Sequence, residues 1–328
     1  MKPSNIDLEN DLDQVKAKYQ VLISKPLQAL CLKSDAIARQ FSASSQELNA
    51  SANEQTDPIG DATHTPVKGI VHRYPNRVLL TPSVNCPSYC RFCFRKARVG
   101  QEKELTNSEI SAALEYIKSY QKIEEVILSG GDPLALSSEI LNRIFEVLDK
   151  VEHIKTIRIH TRIQLTGNGS ALTNLKKINW PKKPLFIVVH CNHPDEIDSR
   201  FQNFIEEFKA ANAVILSQSV LLKGINDTEE VLKQLFTKLT QHRVIPYYLH
   251  HPDLVQGAGH FRVSLKKGMR IMAALQGDLS GYALPKYILD LPGGLGKVPI
   301  NSSWLKETVD SVYEITSPFG KKVIYSDI

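Results

Sequence analysis

The chain has 328 residues, of which 42% are hydrophobic and 23% charged, and it carries a formal net charge of +5. These values are ordinary for a soluble globular protein with one large domain or two smaller ones. The basic residues are scattered and form no recognisable nucleic-acid module, so no nucleic acid is expected as a partner. No apolar run is long enough to cross a bilayer, so no membrane partner is expected either.

Residues 1–70 differ from the rest and are predicted to form an N-terminal extension of helices and loops. Residues 15–37 predict an amphipathic helix pair broken at Pro26, and residues 42–64 predict a polar loop or linker with one helical turn. The first twenty residues lack the apolar segment of a signal peptide. Five cysteines, an odd number, argue against a disulfide framework, so we expect a cytoplasmic protein with reduced thiols.

From residue 77 onward, short aliphatic runs alternate with segments of helical periodicity. Six runs predict strands and a seventh is a candidate: 78–80, 126–128, 157–159, 185–189, 214–216, 244–249 and 287–291. One of the helical segments follows the capping-box signal Thr106-x-x-Glu109. The middle strands recur at intervals of about 30 residues, the size of one βαβ unit, which predicts a parallel sheet with helices outside.

Two closures of this α/β sheet fit the pattern: an open doubly wound sheet or a barrel, with too few units for a complete eightfold barrel. Residues 71–300 are predicted to form this domain, followed by a short C-terminal tail at residues 301–328. In either closure, chemistry is expected at the carboxyl ends of the strands. Polar groups do follow five of the predicted strands: Ser129-Gly130-Gly131-Asp132, His160-Thr161-Arg162, His190-Cys191-Asn192-His193, Ser217-Gln218 and His250-His251-Pro252-Asp253. This placement favours an enzyme.

Three of the five cysteines, Cys86, Cys90 and Cys93, fall within eight positions in the spacing Cys-x3-Cys-x2-Cys. A structural zinc site usually takes four ligands, and no second cysteine pair is present, so a zinc site would need a histidine to complete it. A [4Fe-4S] cluster is normally held by four thiolates. Three thiolates would leave one iron open to a substrate or cofactor.

These motifs resemble those of known proteins. The cysteine spacing, Phe92 before the last cysteine, and the strand-end motif LSGGDPL resemble the radical S-adenosylmethionine superfamily. Over residues 72–300 the chain more specifically resembles the lysine 2,3-aminomutase family. Seven separated motifs carry that resemblance: HRYPNRVLL, NCPSYCRFCFRK, ILSGGDPL, VHCNHPDEID, SQSVLLKGIND, YYLHHPDLVQGAGHFR and GYALPKYILDLPGGLGK.

The resemblance implies a partial (β/α)6-type TIM-like barrel and three cofactors. A [4Fe-4S] cluster would be held by Cys86, Cys90 and Cys93, with its open iron on S-adenosylmethionine. In the family, cleavage of that cofactor gives a 5′-deoxyadenosyl radical, which takes a hydrogen atom from the substrate. The residues implied in binding S-adenosylmethionine are Ser129, Gly130, Gly131, Asp132, His190 and Gln218.

The third implied cofactor is pyridoxal 5′-phosphate, whose aldehyde forms a Schiff base with a lysine. Lys297, after the glycine-rich turn PGGLG, matches that lysine, and Arg73 and Arg77 match arginines near the cofactor phosphate. The substrate residues follow by the same match. Arg95 would pair with the substrate carboxylate, while Asp253 and Asp290 would hold the ε-ammonium of lysine.

The implied activity is conversion of L-lysine to β-lysine, with an external electron donor such as flavodoxin or ferredoxin. Two alternatives stay open: an aminomutase of another amino acid, such as glutamate, and a non-catalytic iron–sulfur protein. The chain is also similar to the branch that supplies β-lysine for elongation factor P. No cysteine follows Cys191, so we expect no zinc site of the clostridial type. The resemblance leaves an oligomer open.

Overall fold

The computed structural model describes residues 5–301, 304–309, 312–317 and 320–326. Its main feature is a nine-stranded sheet whose strands follow one another in chain order. Strands β2 to β8 are parallel, while β1 and β9 pair antiparallel at the two edges. The strands are β1 (Ile70–Tyr74), β2 (Arg77–Ser83), β3 (Glu125–Gly130), β4 (Thr156–Thr161), β5 (Leu185–His190), β6 (Val214–Val220), β7 (Ile245–His250), β8 (Lys286–Leu291) and β9 (Gly296–Pro299).

Helices connect the parallel strands, as the sequence predicted. The connecting helices are α4 (Asn107–Ser119), α5 (Ser138–Asp149), α6 (Ile163–Thr166), α7 (Gly169–Leu175), α8 (Ser199–Ala210), α9 (Glu229–Gln241) and α10 (Leu265–Asp278). The capping box at the start of α4 is confirmed, because Thr106 and Glu109 bond each other's backbone N–H groups. The seventh strand candidate is also confirmed, as β8.

Alternate side chains of each parallel strand point to opposite faces of the sheet. In β3 and β4, Val126, Leu128, Ile157 and Ile159 are fully buried in the core that the sheet shares with the surrounding helices. Their neighbours along the strands point to the other face and line an internal cavity. The sheet is therefore curled around that cavity as an incomplete barrel, and the partial-barrel prediction is confirmed.

The barrel remains open between β1 and β9, because no backbone ladder joins these two edges. Side chains cross the gap instead. Arg73 on β1 donates to Asp290 on β8 at 3.1 Å, and the backbone N–H of Lys297 on β9 donates to the hydroxyl of Tyr74 at 3.1 Å. We call this gap, with its bridging side chains, the seam.

The N-terminal extension has three helices: α1 (Asn5–Lys18), α2 (Lys25–Cys31) and α3 (Asp35–Phe41). The break predicted at Pro26 lies at residues 19–24, directly before α2. Pro26 lies in the first turn of α2, where its missing N–H has no helical partner to lose.

The polar segment after α3 contains two short 3-10 turns, Ser45–Leu48 and Ala62–His64. Its interpretation as a linker was wrong, because Glu47 and Asp61 are both buried in ion pairs with the barrel domain. The polar composition suggested that this segment is exposed. Glu47 and Asp61 are buried because they pair with Arg91 and Arg95, which are distant in the sequence.

The predicted C-terminal tail carries a separate antiparallel sheet of β10 (Leu305–Val309), β11 (Val312–Thr316) and β12 (Lys322–Ser326). The domain boundaries at residues 70 and 300 stay predictions. Among the residues described, no helix is both long enough and apolar enough to span a bilayer.

Candidate active site

One cavity of about 950 Å³ occupies the inside of the barrel. Every residue to which the sequence analysis gave a role lines it: Arg73, Arg77, Cys86, Cys90, Cys93, Arg95, Ser129, Gly130, Gly131, Asp132, His190, Gln218, Asp253, Asp290 and Lys297. The cavity is at the upper end of the volume range of small-molecule sites. The structure thus brings these residues together, while their individual roles stay predictions.

The three clustered cysteines lie on the loop that follows β2. Their thiols are free of disulfides and face the cavity. Among the described residues, no three His, Cys, Asp or Glu side chains are arranged to hold a single metal ion. A [4Fe-4S] cluster makes a different demand, because each thiolate binds a separate iron. Three unpaired thiols on one loop fit that demand.

The electrostatic surroundings of the thiols disfavour the free thiolates. Burial, with the other cysteines nearby, raises the pKa of Cys93 to about 11 and that of Cys86 well above its usual value. Burial also raises the pKa of Cys90, although the Arg162 guanidinium opposes this by donating to its sulfur at 2.8 Å. A bound cation would replace these protons and remove the penalty.

The glycine-rich strand end packs directly on the cysteine loop. The backbone N–H groups of Gly131 and Asp132 donate to the carbonyls of Ser83 at 2.7 Å and Asn85 at 2.8 Å. A Cβ on Gly131 would collide with the Asn85 backbone, so this approach requires glycine. The LSGGD motif therefore fixes the position of the cysteine loop.

Asp132 lies under this loop with its carboxylate engaged by the protein. It accepts from the Thr161 hydroxyl at 2.7 Å, the Arg162 N–H at 2.7 Å and the Leu134 N–H at 3.1 Å. Burial raises its pKa to about 6 in spite of these bonds. The carboxylate thus ties the end of β3 to the end of β4, while the backbone N–H of Asp132 bonds the cysteine loop.

His190 and Gln218 are cross-strand neighbours at the ends of β5 and β6. His190 bonds the Asn192 side chain at 3.0 Å, and its ring lies 5.5 Å from that of Phe92. Burial, together with Arg162 and His250, holds the pKa of His190 well below its usual range. A neutral imidazole and an aromatic ring therefore border the cavity beside the cysteine loop.

Lys297 lies opposite Asp290 on the antiparallel pair of β8 and β9. Its ammonium donates to the Asp290 carboxylate through a short contact. Asp253, after β7, faces the same region, and burial together with Asp290 raises its pKa to about 7. Two carboxylates and one lysine thus form a group that can exchange one ammonium for another.

Arg73 and Arg77, the two arginines predicted to bind the cofactor phosphate, differ in how many of their donors are already engaged by the protein. Both terminal nitrogens of Arg73 are engaged by carboxylates, Asp290 at 3.1 Å and Asp61 at 3.3 Å. The guanidinium of Arg77 lies 3.7 Å from the centre of the Tyr74 ring and bonds the side chain of the adjacent Asn76. Arg77 consequently offers more open donors to a phosphate than Arg73 does.

Sequence reasoning missed Asp61, and it named Arg162, His160 and His250 only as strand-end residues. Asp61 pairs with Arg95, 34 positions away in sequence, and no local motif marks it. His160 and His250 line the cavity, and the buried Nε2 atom of each has no hydrogen-bond partner among the described residues. Burial lowers both pKa values, that of His250 to about 3.

The implied cofactors fit these residues on chemical grounds. The three thiols suit the cluster, and the end of β3 beside them lines the same cavity. Lys297 and Arg77 supply the amine and the guanidinium that a pyridoxal phosphate site needs. The orphaned nitrogens of His160 and His250 are polar groups that a bound ligand would satisfy.

Comparison with known proteins places the chain in a class. Residues 80–235 match the radical SAM superfamily. A radical SAM methyltransferase from Sphaerobacter thermophilus shares the fold, with a TM-score of 0.50 and 16% identity over 67% of this chain and 68% of that one. The matched residues include the cysteine loop and strands β3 to β6 of the barrel.

Curated relatives narrow the class. An L-lysine 2,3-aminomutase from Methanococcus maripaludis is 39% identical over 84% of this chain, and the match spans 64% of that protein's length. One from Buchnera aphidicola is 34% identical over 88% of this chain and 86% of its own length. One from Haemophilus influenzae is 37% identical over 79% of this chain and 77% of its own length. The chain belongs to the lysine 2,3-aminomutase family, which is a family of isomerases.

Proposed function

We propose that the protein converts L-lysine to β-lysine with a [4Fe-4S] cluster, S-adenosylmethionine and pyridoxal phosphate. One observation carries the choice of lysine. The Asp290 carboxylate already accepts an ammonium, that of Lys297, inside the cavity that holds the three thiols. A second carboxylate, Asp253, faces the same place. The alternative substrate glutamate would bring a carboxylate to this acidic end, where it would be repelled.

The chain's own residues would bind and orient the substrate. Arg95, on the cysteine loop, would take the carboxylate, and Asp253 with Asp290 would take the far ammonium. When bound, the cluster with S-adenosylmethionine supplies a carbon-centred radical, and pyridoxal phosphate supplies the Schiff base through which nitrogen migrates. Enclosure in the barrel would keep solvent from the radical.

The test is anaerobic reconstitution with iron, sulfide and pyridoxal phosphate. Purified protein with dithionite and S-adenosylmethionine should convert L-lysine to its β-isomer, detected by chromatography. Lys297→Ala should retain iron but lose the absorbance band of lysine-bound pyridoxal phosphate, together with the activity. Conversion of glutamate in place of lysine would contradict the role of the two aspartates. Wild-type protein that binds zinc and no pyridoxal phosphate would refute the enzyme itself.

The proposal extends to the cellular setting, where its support is the resemblance of the sequence alone. β-Lysine would be transferred to a lysine of translation elongation factor P, in the cytoplasm, with flavodoxin or ferredoxin as the electron donor. The mass of elongation factor P from cells with and without the gene tests this. An unchanged mass on deletion would remove the translational role and leave the isomerase intact.

A further inference from the structure

Asp61 lies between two of the arginines of the cavity. One of its carboxylate oxygens accepts from both Nε and Nη2 of Arg95, each at 2.8 Å, and the other accepts from Arg73 at 3.3 Å. Asp61 is 1% exposed, so these charges are shielded from water. Burial would raise the pKa of Asp61, but Arg95 and Arg73 more than offset it and lower the pKa. The two arginines therefore favour the ionised form of Asp61.

The backbone around Asp61 is built to hold it there. The Asp57 side chain accepts from the N–H groups of Asp61 and Ala62, both at 2.9 Å. Gly60 has a φ of +67° and packs against Gly293, whose N–H donates to the carbonyl of Pro58 at 3.1 Å. The segment thus contacts both sides of the seam and directs one carboxylate at Arg95 and Arg73.

The two arginines link Asp61 to both ends of the proposed substrate site. Asp61 occupies the Nε and Nη2 edge of the Arg95 guanidinium, while Nη1 donates to the Gly130 carbonyl at 3.5 Å. Arg73 divides its terminal nitrogens between Asp61 and Asp290. An alternating series of charges, Arg95–Asp61–Arg73–Asp290, therefore connects the residue proposed for the carboxylate with a residue proposed for the ammonium.

We propose that Asp61 is a positioning residue that fixes the distance between these two ends and so selects an amino acid of the length of lysine. This inference rests on the proposed function, because it assumes a substrate held at both ends. A rigid spacing disfavours a chain one methylene shorter, whose two charges cannot reach both partners. Without Asp61, Arg95 loses its ion-pair partner and keeps the 3.5 Å bond to the Gly130 carbonyl, so its guanidinium can shift and the shorter chain is tolerated.

The test compares binding of L-lysine and L-ornithine to protein loaded with cluster and pyridoxal phosphate, without S-adenosylmethionine or reductant. The readout is the absorbance change of the lysine-bound cofactor on titration. We expect wild type to prefer lysine by a factor in the range of about 10 to 200 that one methylene supplies. Asp61→Asn is nearly isosteric. It should lower the affinity for lysine by about tenfold or more and bring the ratio of lysine to ornithine affinity close to one.

Asp61→Glu separates positioning from charge balance. It keeps the anion but moves it by one methylene, so the lysine preference should fall although iron and pyridoxal phosphate are retained. The matched control is Glu54→Gln, because Glu54 is a buried acid of the same extension that bonds Ser51 and no arginine among the described residues. This control should keep the wild-type preference.

The outcomes are distinguishable. Wild type that binds no lysine overturns the proposed function and this inference with it. Wild-type preference in Asp61→Asn, or full restoration by Asp61→Glu, overturns the positioning role alone. Asp61→Asn and Asp61→Glu could both lose iron and pyridoxal phosphate to the extent that their melting temperatures fall. That result would show that Asp61 only stabilises the fold, and it would also overturn the positioning role.

Discussion

Asp253 shows how a single side chain acquires a property that its sequence position does not give. An isolated aspartate ionises near pH 4, whereas burial and the neighbouring Asp290 raise the pKa of Asp253 to about 7. Lys297, Arg73 and Arg95 oppose the rise. The charge of the site proposed for the ammonium therefore changes within the physiological range.

We predict that the KM for lysine falls as the pH rises from 6 to 8. Asp253 is mostly neutral below its pKa and mostly ionised above it, while the substrate ammonium stays charged throughout. The fall should approach about tenfold. Initial rates across this range in wild type and Asp253→Asn provide the measurement. Asp253→Asn should have a higher KM for lysine that does not change with pH. If its KM falls with pH as steeply as that of wild type, another group is responsible for the titration.

At this scale, the strand-end motifs and the family resemblance picked out residues that the structure brings to one cavity, while their individual roles stay predictions. Asp61 and the bond from Arg162 to Cys90 could not be predicted in this way. The paired residues lie 34 and 72 positions apart: Asp61 reaches Arg95 from the N-terminal extension, and Arg162 reaches Cys90 from the end of β4. No local pattern contains that information.

At the scale of elements, the cysteine loop and the glycine-rich end of β3 behave as one unit. Their backbones are joined by the bonds that Gly131 and Asp132 donate, with no side chain between them. The strands themselves were predictable from periodicity, since their apolar residues face the helices. The contact between Gly131 and the cysteine loop was not predictable. A glycine in the sequence indicates that a side chain would not fit, but it does not indicate which residue packs against it.

We predict that Gly131→Ala displaces the cysteine loop. The new methyl group would collide with the backbone of Asn85, which cannot move aside as a flexible side chain would. The expected results are a loss of about 1–3 kcal/mol in unfolding free energy, as for overpacking, and a lower iron content after reconstitution. Gly169→Ala is the matched control, because its Cβ meets nothing within 4 Å in the first turn of α7. Equal behaviour of the two variants would contradict the collision.

At the scale of the whole molecule, the N-terminal extension and the barrel share a buried charge cluster. Glu47 in the extension accepts from Nε of Arg91 at 2.9 Å and from Lys96 at 2.6 Å, and both cations belong to the cysteine loop. Burial would raise the pKa of Glu47, but Arg91 and Lys96 outweigh it and lower the pKa. The extension therefore holds the cysteine loop through ion pairs on its outer side, and the glycine motif holds it through backbone hydrogen bonds on its inner side.

We predict that Glu47→Gln lowers the unfolding free energy by about 3 kcal/mol, because it leaves two buried cations without their anion. The iron content should fall as well. Urea unfolding at pH 7 measures the loss, and Glu54→Gln is again the control. Since the pKa of Glu47 is depressed, its contribution is full above about pH 4.3 and is lost as the pH falls through the folded value. A variant as stable as wild type at pH 7 would refute the fastening role.

Along the seam, the barrel lacks the backbone hydrogen bonds that join its other neighbouring strands. Adjacent parallel strands are held by ladders of backbone bonds, whereas β1 and β9 meet through Arg73, Tyr74 and the segment around Asp61. Separating these edges breaks a handful of polar contacts and leaves every ladder intact. Arg73, which is proposed to help set the length of the substrate, therefore also helps to hold the two edges of the barrel together.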